Sequence, residues 1–190
     1  MLKVLKSIIY FIFCKLLYHV HYENIENEKS LDKCVICANH SVWMDPLYIF
    51  AVTKNMSIMA KAELFKNKLI GKIFLWAGIF PIHRGSKDSK SILHAVNILD
   101  ESTNMKMLIF PEGTRYHDNL HKQAKVGATY IAIKANVPII PVYISEKPKL
   151  FSRIDIKYGK PIYLDSAKHN DKEYIKEKSN EILKIIYNMK

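Results

Sequence analysis

Short apolar runs alternate with segments of helical periodicity along most of this chain. The runs of strand length predict β-strands at residues 34–38, 57–60, 79–82, 107–110, 139–144 and 153–158. Helical spacing predicts helices at residues 46–52, 63–76, 90–99 and 124–135, and an amphipathic helix near the carboxyl terminus with Ile175, Ile182, Ile186 and Met189 on one side. Because strands and helices alternate, we expect an α/β fold, a three-layer α/β/α sandwich with a largely parallel or mixed sheet. In such sheets, ligands bind beyond the carboxyl ends of the strands.

The first segment, residues 2–20, is mostly apolar but contains Lys3, Lys6 and Lys15. Its longest uncharged run, residues 7–14, is shorter than the ~20 residues that span a bilayer, and no small-residue cleavage site follows it. We therefore expect an uncleaved membrane-associated helix over residues 1–22, seated in one leaflet with its lysines reaching the headgroups. The alternative is a helix packed on the domain as part of its core.

The remaining chain, residues 31–190, is long enough for one domain with a substantial core. An apolar content of 49%, with 11% aromatic residues, excludes a disordered or fibrous protein. The 29 basic and 18 acidic residues give a net charge of +11, which indicates an anionic partner. Nucleic acid is disfavoured, because the lysines are spread along the chain and many aromatic residues fall in apolar segments.

The three cysteines are Cys14, Cys34 and Cys37, an odd number that indicates no disulfide framework. Cys34 and Cys37 form a C-x-x-C pair, but no second pair completes a zinc site. Since the pair lies on a predicted buried strand, we interpret both residues as core cysteines and expect a reducing compartment.

Polar residues follow the first core strand, where His40 precedes Asp45 by five positions. On one regular helix these side chains would diverge, but they can meet if His40 lies in a turn and Asp45 near a helix start, which Pro46 favours. A carboxylate on one imidazole nitrogen would leave the other nitrogen as a general base. A solvated or capping histidine is the alternative.

Two further polar clusters also follow predicted strands. Arg84 stands beside a glycine, a combination that can grip a phosphate, although a surface arginine in a turn has the same pattern. Glu112, Thr114 and Arg115 surround Gly113, and the spacing there excludes a P-loop. The apolar block at residues 137–142 is interpreted as structural.

Taken in order, four blocks resemble the glycerolipid acyltransferase family, which shows N-H-x4-D, G-x5-R-G, F-P-E-G-T-R and V-P-x-x-P-V. Here they are residues 39–45, 78–85, 110–115 and 137–142, and residues 61–65 and 125–127 are similar to the family's connecting segments. The resemblance covers about residues 33–145.

The resemblance implies an enzyme that transfers a fatty acyl group from an acyl thioester to the free hydroxyl of 1-acylglycerol 3-phosphate, giving phosphatidate in phospholipid synthesis. It implies that His40 deprotonates this hydroxyl and that Asp45 orients and stabilises the imidazolium. No metal ion or cofactor is expected, and the thioester of coenzyme A or an acyl carrier protein is the co-substrate. By the same similarity, the phosphate-binding residues are Arg84, Glu112, Gly113, Arg115 and Lys61.

The chain departs from the family pattern at Val42, where many relatives have serine, and at Tyr116 and His117, where Ser-Arg is usual. The acceptor therefore stays open between 1-acylglycerol 3-phosphate, glycerol 3-phosphate and another lysophospholipid. A membrane-binding scaffold without catalysis is a further alternative. We expect a peripheral or monotopic protein of the cell membrane, with its active site on the cytoplasmic side. Its expected partners are an anionic membrane surface and an acyl carrier protein, and no nucleic acid.

Overall fold

The structure is a computed structural model that describes residues 2–82, 89–115, 123–145 and 148–190. The seven strands of the described chain form one sheet in the order β1-β7-β6-β2-β5-β3-β4. All neighbouring strands are parallel except β6 and β7, so the sheet is mixed but largely parallel, as expected. The strands are β1 His19–Glu23, β2 Cys34–Ala38, β3 Met56–Lys61, β4 Ile79–Ile82, β5 Lys106–Ile109, β6 Ile139–Ile144 and β7 Arg153–Tyr158.

Helices connect these strands and cover the sheet. The α-helices are α1 Leu2–Ile9, α2 Glu26–Lys29, α3 Asp45–Val52, α4 Lys68–Trp76, α5 Ser89–Glu101, α6 Gly127–Lys134 and α7 Lys172–Asn188. A π-helix at Tyr10–Leu16 continues α1, and short 3₁₀ turns lie at Ala62–Phe65 and Ser166–Lys168.

Two apolar cores lie on opposite faces of the sheet, and the central strand β2 contributes to both. Cys34, Ile36 and Ala38 pack with the N-terminal helix and α3, whereas Val35 and Cys37 pack with α5, α6 and α7. Because successive side chains of a strand point to opposite faces, a strand that is buried on both faces is apolar throughout. The three-layer α/β/α sandwich predicted from the sequence is confirmed.

Cys34 and Cys37 are buried core residues, as predicted. Cys14 is buried as well, and all three cysteines are free. Cys34 and Cys37 belong to different cores, so their thiols face opposite sides of β2 and cannot bind one metal ion. Burial raises the pKa of the Cys34 thiol to about 12 and also raises the pKa of Cys37, so both stay protonated near neutral pH.

The N-terminal helix is shorter than the sequence predicted. It ends at Leu16, and residues His19–Glu23 form the edge strand β1, paired in parallel with β7. The prediction of a helix to residue 22 was wrong because a half-buried edge strand of five residues follows directly on the apolar helix. Cys14 and Tyr18 lie in the core, so the segment packs on the sheet. Among the described residues, no helix has the length and apolarity that a bilayer crossing requires.

The sequence predicts that Lys6 reaches lipid headgroups, but the structure packs its side chain against the protein. Its ammonium donates a hydrogen bond to the carbonyl of Thr53, at the end of α3, and lies 4.5 Å from the centre of the Phe50 ring. Burial lowers the pKa of Lys6. A lysine in an apolar helix is therefore used here to hold that helix against α3.

The single helix predicted at residues 63–76 is also wrong, because it divides into a 3₁₀ turn and α4. The side chain of Asn67 accepts hydrogen bonds from the backbone N–H groups of Leu69 and Ile70 at 3.0 and 3.1 Å. Asparagine in this position starts a new helix by satisfying its free N–H groups. The other predicted elements are present with bounds that agree or shift by a few residues.

Candidate active site

The candidate site lies beyond the carboxyl ends of the neighbouring strands β2 and β5. Cys37 on β2 is paired with Ile109 on β5, so the segments that follow the two strands leave the sheet side by side. His40 comes shortly after β2, and Glu112 comes shortly after β5. The sequence placed the site at this edge of the sheet, and the structure brings these segments together there.

His40 and Asp45 form a hydrogen-bonded pair. The distance between His40 Nδ1 and Asp45 Oδ2 is 2.8 Å, and the exposed fractions of the two side chains are 11% and 0%. An ionised carboxylate only accepts hydrogen bonds, so the proton of the neutral imidazole lies on Nδ1. Nε2 then has a free lone pair, which is the arrangement of a general base.

Asp45 is fixed by the backbone at the start of α3. The same Oδ2 atom accepts hydrogen bonds from the N–H groups of Ser41 at 2.7 Å and Val42 at 2.9 Å. Asp45 is the first residue of the helix, where the dipole favours negative charge. The five-residue spacing therefore makes a compact turn in which one carboxylate orients both the backbone and the imidazole.

The imidazole ring is also held from the side by Phe110, the first residue after β5. The two rings are stacked with their centres 4.1 Å apart and their planes inclined by 23°. This contact fixes the ring plane and shields one face of the base from water. The F-P-E-G-T-R block thus supports the histidine as well as providing polar groups.

Asn39 joins the end of β2 to the end of β6. Its side-chain amide donates to the carbonyl of Ile144 at 2.9 Å and accepts from the N–H of Ile144 at 2.7 Å. The side chain is completely buried. Because His40 is the next residue, this paired hydrogen bond sets where the His40 loop leaves the sheet. No local pattern indicated a role for Asn39, because its partner is distant along the chain.

Glu112 is buried and forms hydrogen bonds within the protein. Its Oε1 atom accepts hydrogen bonds from the backbone N–H of His40 at 3.3 Å and from the hydroxyl of Tyr187 on α7. A carboxylate repels a phosphate, so this position suits the support of the His40 loop better than direct phosphate binding. No local sequence pattern indicated Tyr187.

Gly113 has a φ of +71°, a conformation that glycine adopts without strain. A side chain there would meet the aliphatic part of Lys125, whose Cγ would lie 3.1 Å from the added Cβ. The turn therefore favours glycine for its conformation, and a side chain there would also displace Lys125.

Two of the three cationic candidates for phosphate binding lie within the described residues. Lys61 is the last residue of β3, is exposed, and lies 3.2 Å from Glu63 in an ion pair. Arg115 is exposed. Arg84 lies outside the described residues, as do Tyr116 and His117.

One cluster of the described chain has the composition of a metal site. His21, Glu23 and Asp155 lie together on β1 and β7. The guanidinium of Arg153 donates to Asp155 at 2.7 Å and lies 3.3 Å from Nδ1 of His21. This cation already occupies the cluster, so the arrangement disfavours a second positive charge.

Comparison with known proteins gives a consistent picture. A family model described as acyltransferase matches residues 19–145. The 1-acyl-sn-glycerol-3-phosphate acyltransferase of Streptococcus pneumoniae (strain ATCC BAA-255 / R6) is 31% identical over 172 residues, which cover 86% of this chain and 63% of that protein. The Bacillus subtilis (strain 168) protein of the same name is 31% identical over 153 residues, covering 77% of this chain and 75% of that one. The human 1-acyl-sn-glycerol-3-phosphate acyltransferase beta is 33% identical over 114 residues, 59% of this chain and 41% of that protein.

A solved structure supports the fold. The crystal structure of the 1-acyl-sn-glycerophosphate (LPA) acyltransferase PlsC from Thermotoga maritima superposes with a TM-score of 0.73 at 24% identity, covering 95% of this chain and 76% of that one. The family match spans most of the α/β domain, including the His40–Asp45 pair, and the Bacillus relative is matched over three quarters of its length. The chain therefore belongs to the acyltransferase family.

Proposed function

We propose that this chain transfers a fatty acyl group from an acyl thioester to the free hydroxyl of 1-acylglycerol 3-phosphate, giving phosphatidate. The proposal rests on the hydrogen-bonded His40–Asp45 pair, which leaves Nε2 as a base at the carboxyl edge of the sheet. The names of the Streptococcus and Bacillus relatives support this acceptor.

In the proposed reaction, His40 Nε2 takes the proton of the acceptor hydroxyl as its oxygen attacks the thioester carbonyl carbon. The new C–O bond forms, the C–S bond breaks, and the imidazolium returns its proton to the departing thiolate, which leaves as a thiol. Asp45 stabilises the positive imidazolium between these steps. General-base assistance contributes roughly 10²–10⁴-fold to such reactions, and positioning of the two substrates supplies much of the rest.

The acyl group passes directly between the substrates in this proposal, with the thioester as co-substrate and no further cofactor. Ser41, the nearest candidate for a covalent intermediate, is buried. Its backbone N–H is bound to Asp45, and no G-x-S-x-G elbow surrounds it. A nucleophile must reach the substrate carbonyl, so Ser41 is poorly placed for that role.

We assign the acceptor phosphate to cationic residues that follow the strands of the same edge. Lys61 ends β3, Arg115 follows Gly113, and Arg84 belongs to the glycine-arginine block. Arginine and lysine bind phosphate through charge-assisted hydrogen bonds. The net charge of +11 also suits an acidic acyl carrier protein as donor partner.

We further propose that the N-terminal helix places the protein at the cytoplasmic surface of the cell membrane. Val4, Ile8, Phe11 and Leu16 are all exposed large apolar residues of this helix or its π-helical continuation. The ring of Phe13 contacts that of Trp43, which is itself exposed and lies within the His40–Asp45 turn. Apolar residues thus extend from the helix to the active-site loop, where a lipid acceptor would enter.

Product analysis by mass spectrometry tests the acyl transfer. Membranes carrying the protein receive acyl-coenzyme A or acyl carrier protein thioester with either 1-acylglycerol 3-phosphate or glycerol 3-phosphate. The His40→Asn variant keeps a donor towards Asp45 but has no base, and His19→Ala, an exposed histidine of β1, is the matched control.

We expect phosphatidate from the wild type and from His19→Ala, and none above background from His40→Asn. Lysophosphatidate from glycerol 3-phosphate would instead identify the other acceptor. Full activity of His40→Asn would remove the general base from the proposal, and absence of product from every donor and acceptor would favour a membrane-binding scaffold.

A further inference from the structure

Helix α4 and the 3₁₀ turn before it expose large apolar side chains to solvent. Gly71 is the only buried residue of the helix. The exposed fractions of the apolar residues range from 42% to 70%. We call this surface the α4 surface, and its apolar residues are Leu64, Leu69, Ile70, Ile73, Leu75 and Trp76.

Three of these apolar residues lie on the side of α4 that faces away from the protein. At about 100° per residue, Leu69, Ile73 and Trp76 share one face of the helix, and Gly71 projects from the opposite side. The backbone of Phe65 lies 3.1 Å from a Cβ built on Gly71, so the glycine side is the packed side. An amphipathic helix of a soluble domain normally has the reverse orientation, with its apolar face in the core.

Lysines accompany these apolar residues. Lys61, Lys66, Lys68 and Lys72 are exposed along the same stretch, against the single acidic residue Glu63. Exposed apolar residues mixed with lysines are the composition of helices that lie in the headgroup region of anionic membranes. A second copy of this chain fits less well, because a symmetric contact through this surface would bring lysines together.

The position of the α4 surface relates it to the active site. Lys61 is the last residue of β3, at the same edge of the sheet from which the His40 and Glu112 segments leave β2 and β5. The α4 surface therefore starts at the catalytic edge.

We propose that the α4 surface binds the headgroup and upper acyl region of an anionic bilayer, as a membrane contact separate from the N-terminal helix. The apolar face of α4 enters the acyl boundary, and Lys68 and Lys72 contact anionic headgroups. The contact is a property of this surface alone and does not depend on acyl transfer.

Vesicle flotation of the full chain tests this contact. The vesicles are equimolar phosphatidylglycerol and phosphatidylcholine, or phosphatidylcholine alone, with no acceptor or donor. Each variant carries Phe11→Gln, which weakens the N-terminal contact. Leu69→Gln together with Ile73→Gln is compared with Leu93→Gln, a control because Leu93 is a 60% exposed leucine of α5. Glutamine keeps the helix in both variants.

We expect Leu69→Gln together with Ile73→Gln to lower the partition coefficient on anionic vesicles about tenfold or more, since two apolar side chains leave the acyl boundary. Replacing Lys68 or Lys72 by glutamine should lower it about fivefold each and reduce its salt dependence. The variant that carries Leu93→Gln and Phe11→Gln should bind like the variant that carries Phe11→Gln alone.

A direct readout uses Trp76, because Trp43 is the other tryptophan of the chain. In Trp43→Phe, the fluorescence of Trp76 should shift to shorter wavelength on anionic vesicles and be quenched by brominated acyl chains. Unchanged fluorescence, or equal binding by the Leu69→Gln/Ile73→Gln and Leu93→Gln variants, would overturn the proposal. A dimer that the Leu69→Gln/Ile73→Gln variant abolishes, with vesicle binding intact, would assign the surface to self-association and overturn it as well. Failure of acyl transfer with normal vesicle binding would affect only the proposed function.

Discussion

Replacing Tyr187 by phenylalanine should slow acyl transfer although Tyr187 lies on α7, outside the residues that match the family model. The tyrosine hydroxyl donates a hydrogen bond to Glu112 Oε1, and the same oxygen accepts the backbone N–H of His40 at 3.3 Å. Phenylalanine keeps the ring and its packing and removes only the hydroxyl. The perturbation therefore acts on His40 through one buried carboxylate.

The magnitude follows from the burial and charge of Glu112, whose side chain is almost completely buried. A hydrogen bond to a charged group contributes about 1.5–3 kcal/mol to the free energy of unfolding, and we expect a loss of this size. If the carboxylate moves, the support of the His40 backbone moves with it, and misplacement by about 1 Å can lower a rate about 10²-fold. We expect kcat to fall about 10- to 100-fold, with little change in the acceptor KM.

The assay compares steady-state acylation of 1-acylglycerol 3-phosphate by the wild type, Tyr187→Phe and Tyr174→Phe. Tyr174 lies on the same helix, but its hydroxyl accepts a hydrogen bond from the backbone of Asp165, so this control should keep its kcat. Combining Tyr187→Phe with Glu112→Gln should cost less than the sum of the single effects on kcat, because both act on one contact. A wild-type kcat for Tyr187→Phe, or additive effects in the double variant, would refute the reasoning.

Four other predictions concern buried groups of the structure. Asp45→Asn should lower kcat by about 10³–10⁴-fold with a smaller effect on KM, because the imidazolium loses its counter-charge; a rate within tenfold of wild type would contradict this. Glu28 and Lys106 form a buried ion pair at 2.6 Å. Lys106→Met should therefore lower the free energy of unfolding in urea by about 3–5 kcal/mol, and adding Glu28→Leu to that variant should restore part of the loss. An unchanged urea midpoint for Lys106→Met would contradict this. Because burial raises the Cys34 pKa from 9.0 to about 12, the folded state binds more protons than the unfolded state between those values, and stability should fall as pH rises through that interval. A thiol reagent at pH 8 should label Cys34 only after unfolding, and rapid labelling of the native protein would contradict the burial.

The parts of the fold that the sequence predicted are those with local patterns. β2 is apolar at every position, and α7 repeats its apolar residues at helical spacing, so both could be assigned without knowing their partners. The His40–Asp45 contact was also accessible, because a turn followed by a helix start brings residues five apart together. Pro46 marked that helix start.

The errors concern elements whose state depends on distant partners. β1 pairs with β7, and its register joins His19 to Arg153, so no nearby residue indicates that this segment is a strand. Lys6 was assigned to lipid headgroups from its position in an apolar helix, but its partner is the carbonyl of Thr53 at the end of α3. Packing on the sheet gives both segments a role that their own residues do not indicate.

The active site also combines groups from one local turn with groups that are distant along the chain. The chemical groups, His40 and Asp45, are supplied by one short turn, which is why a motif identifies them. The groups that hold this turn are non-local, since Asn39 binds Ile144 and Glu112 binds Tyr187. A chain could therefore keep all the motif residues and lose preorganisation through a change in α7 or at the end of β6. Because general-base catalysis depends on a fixed base, we expect the motif to supply the chemical groups of the proposed reaction and the contacts from β6 and α7 to determine how efficient the site is.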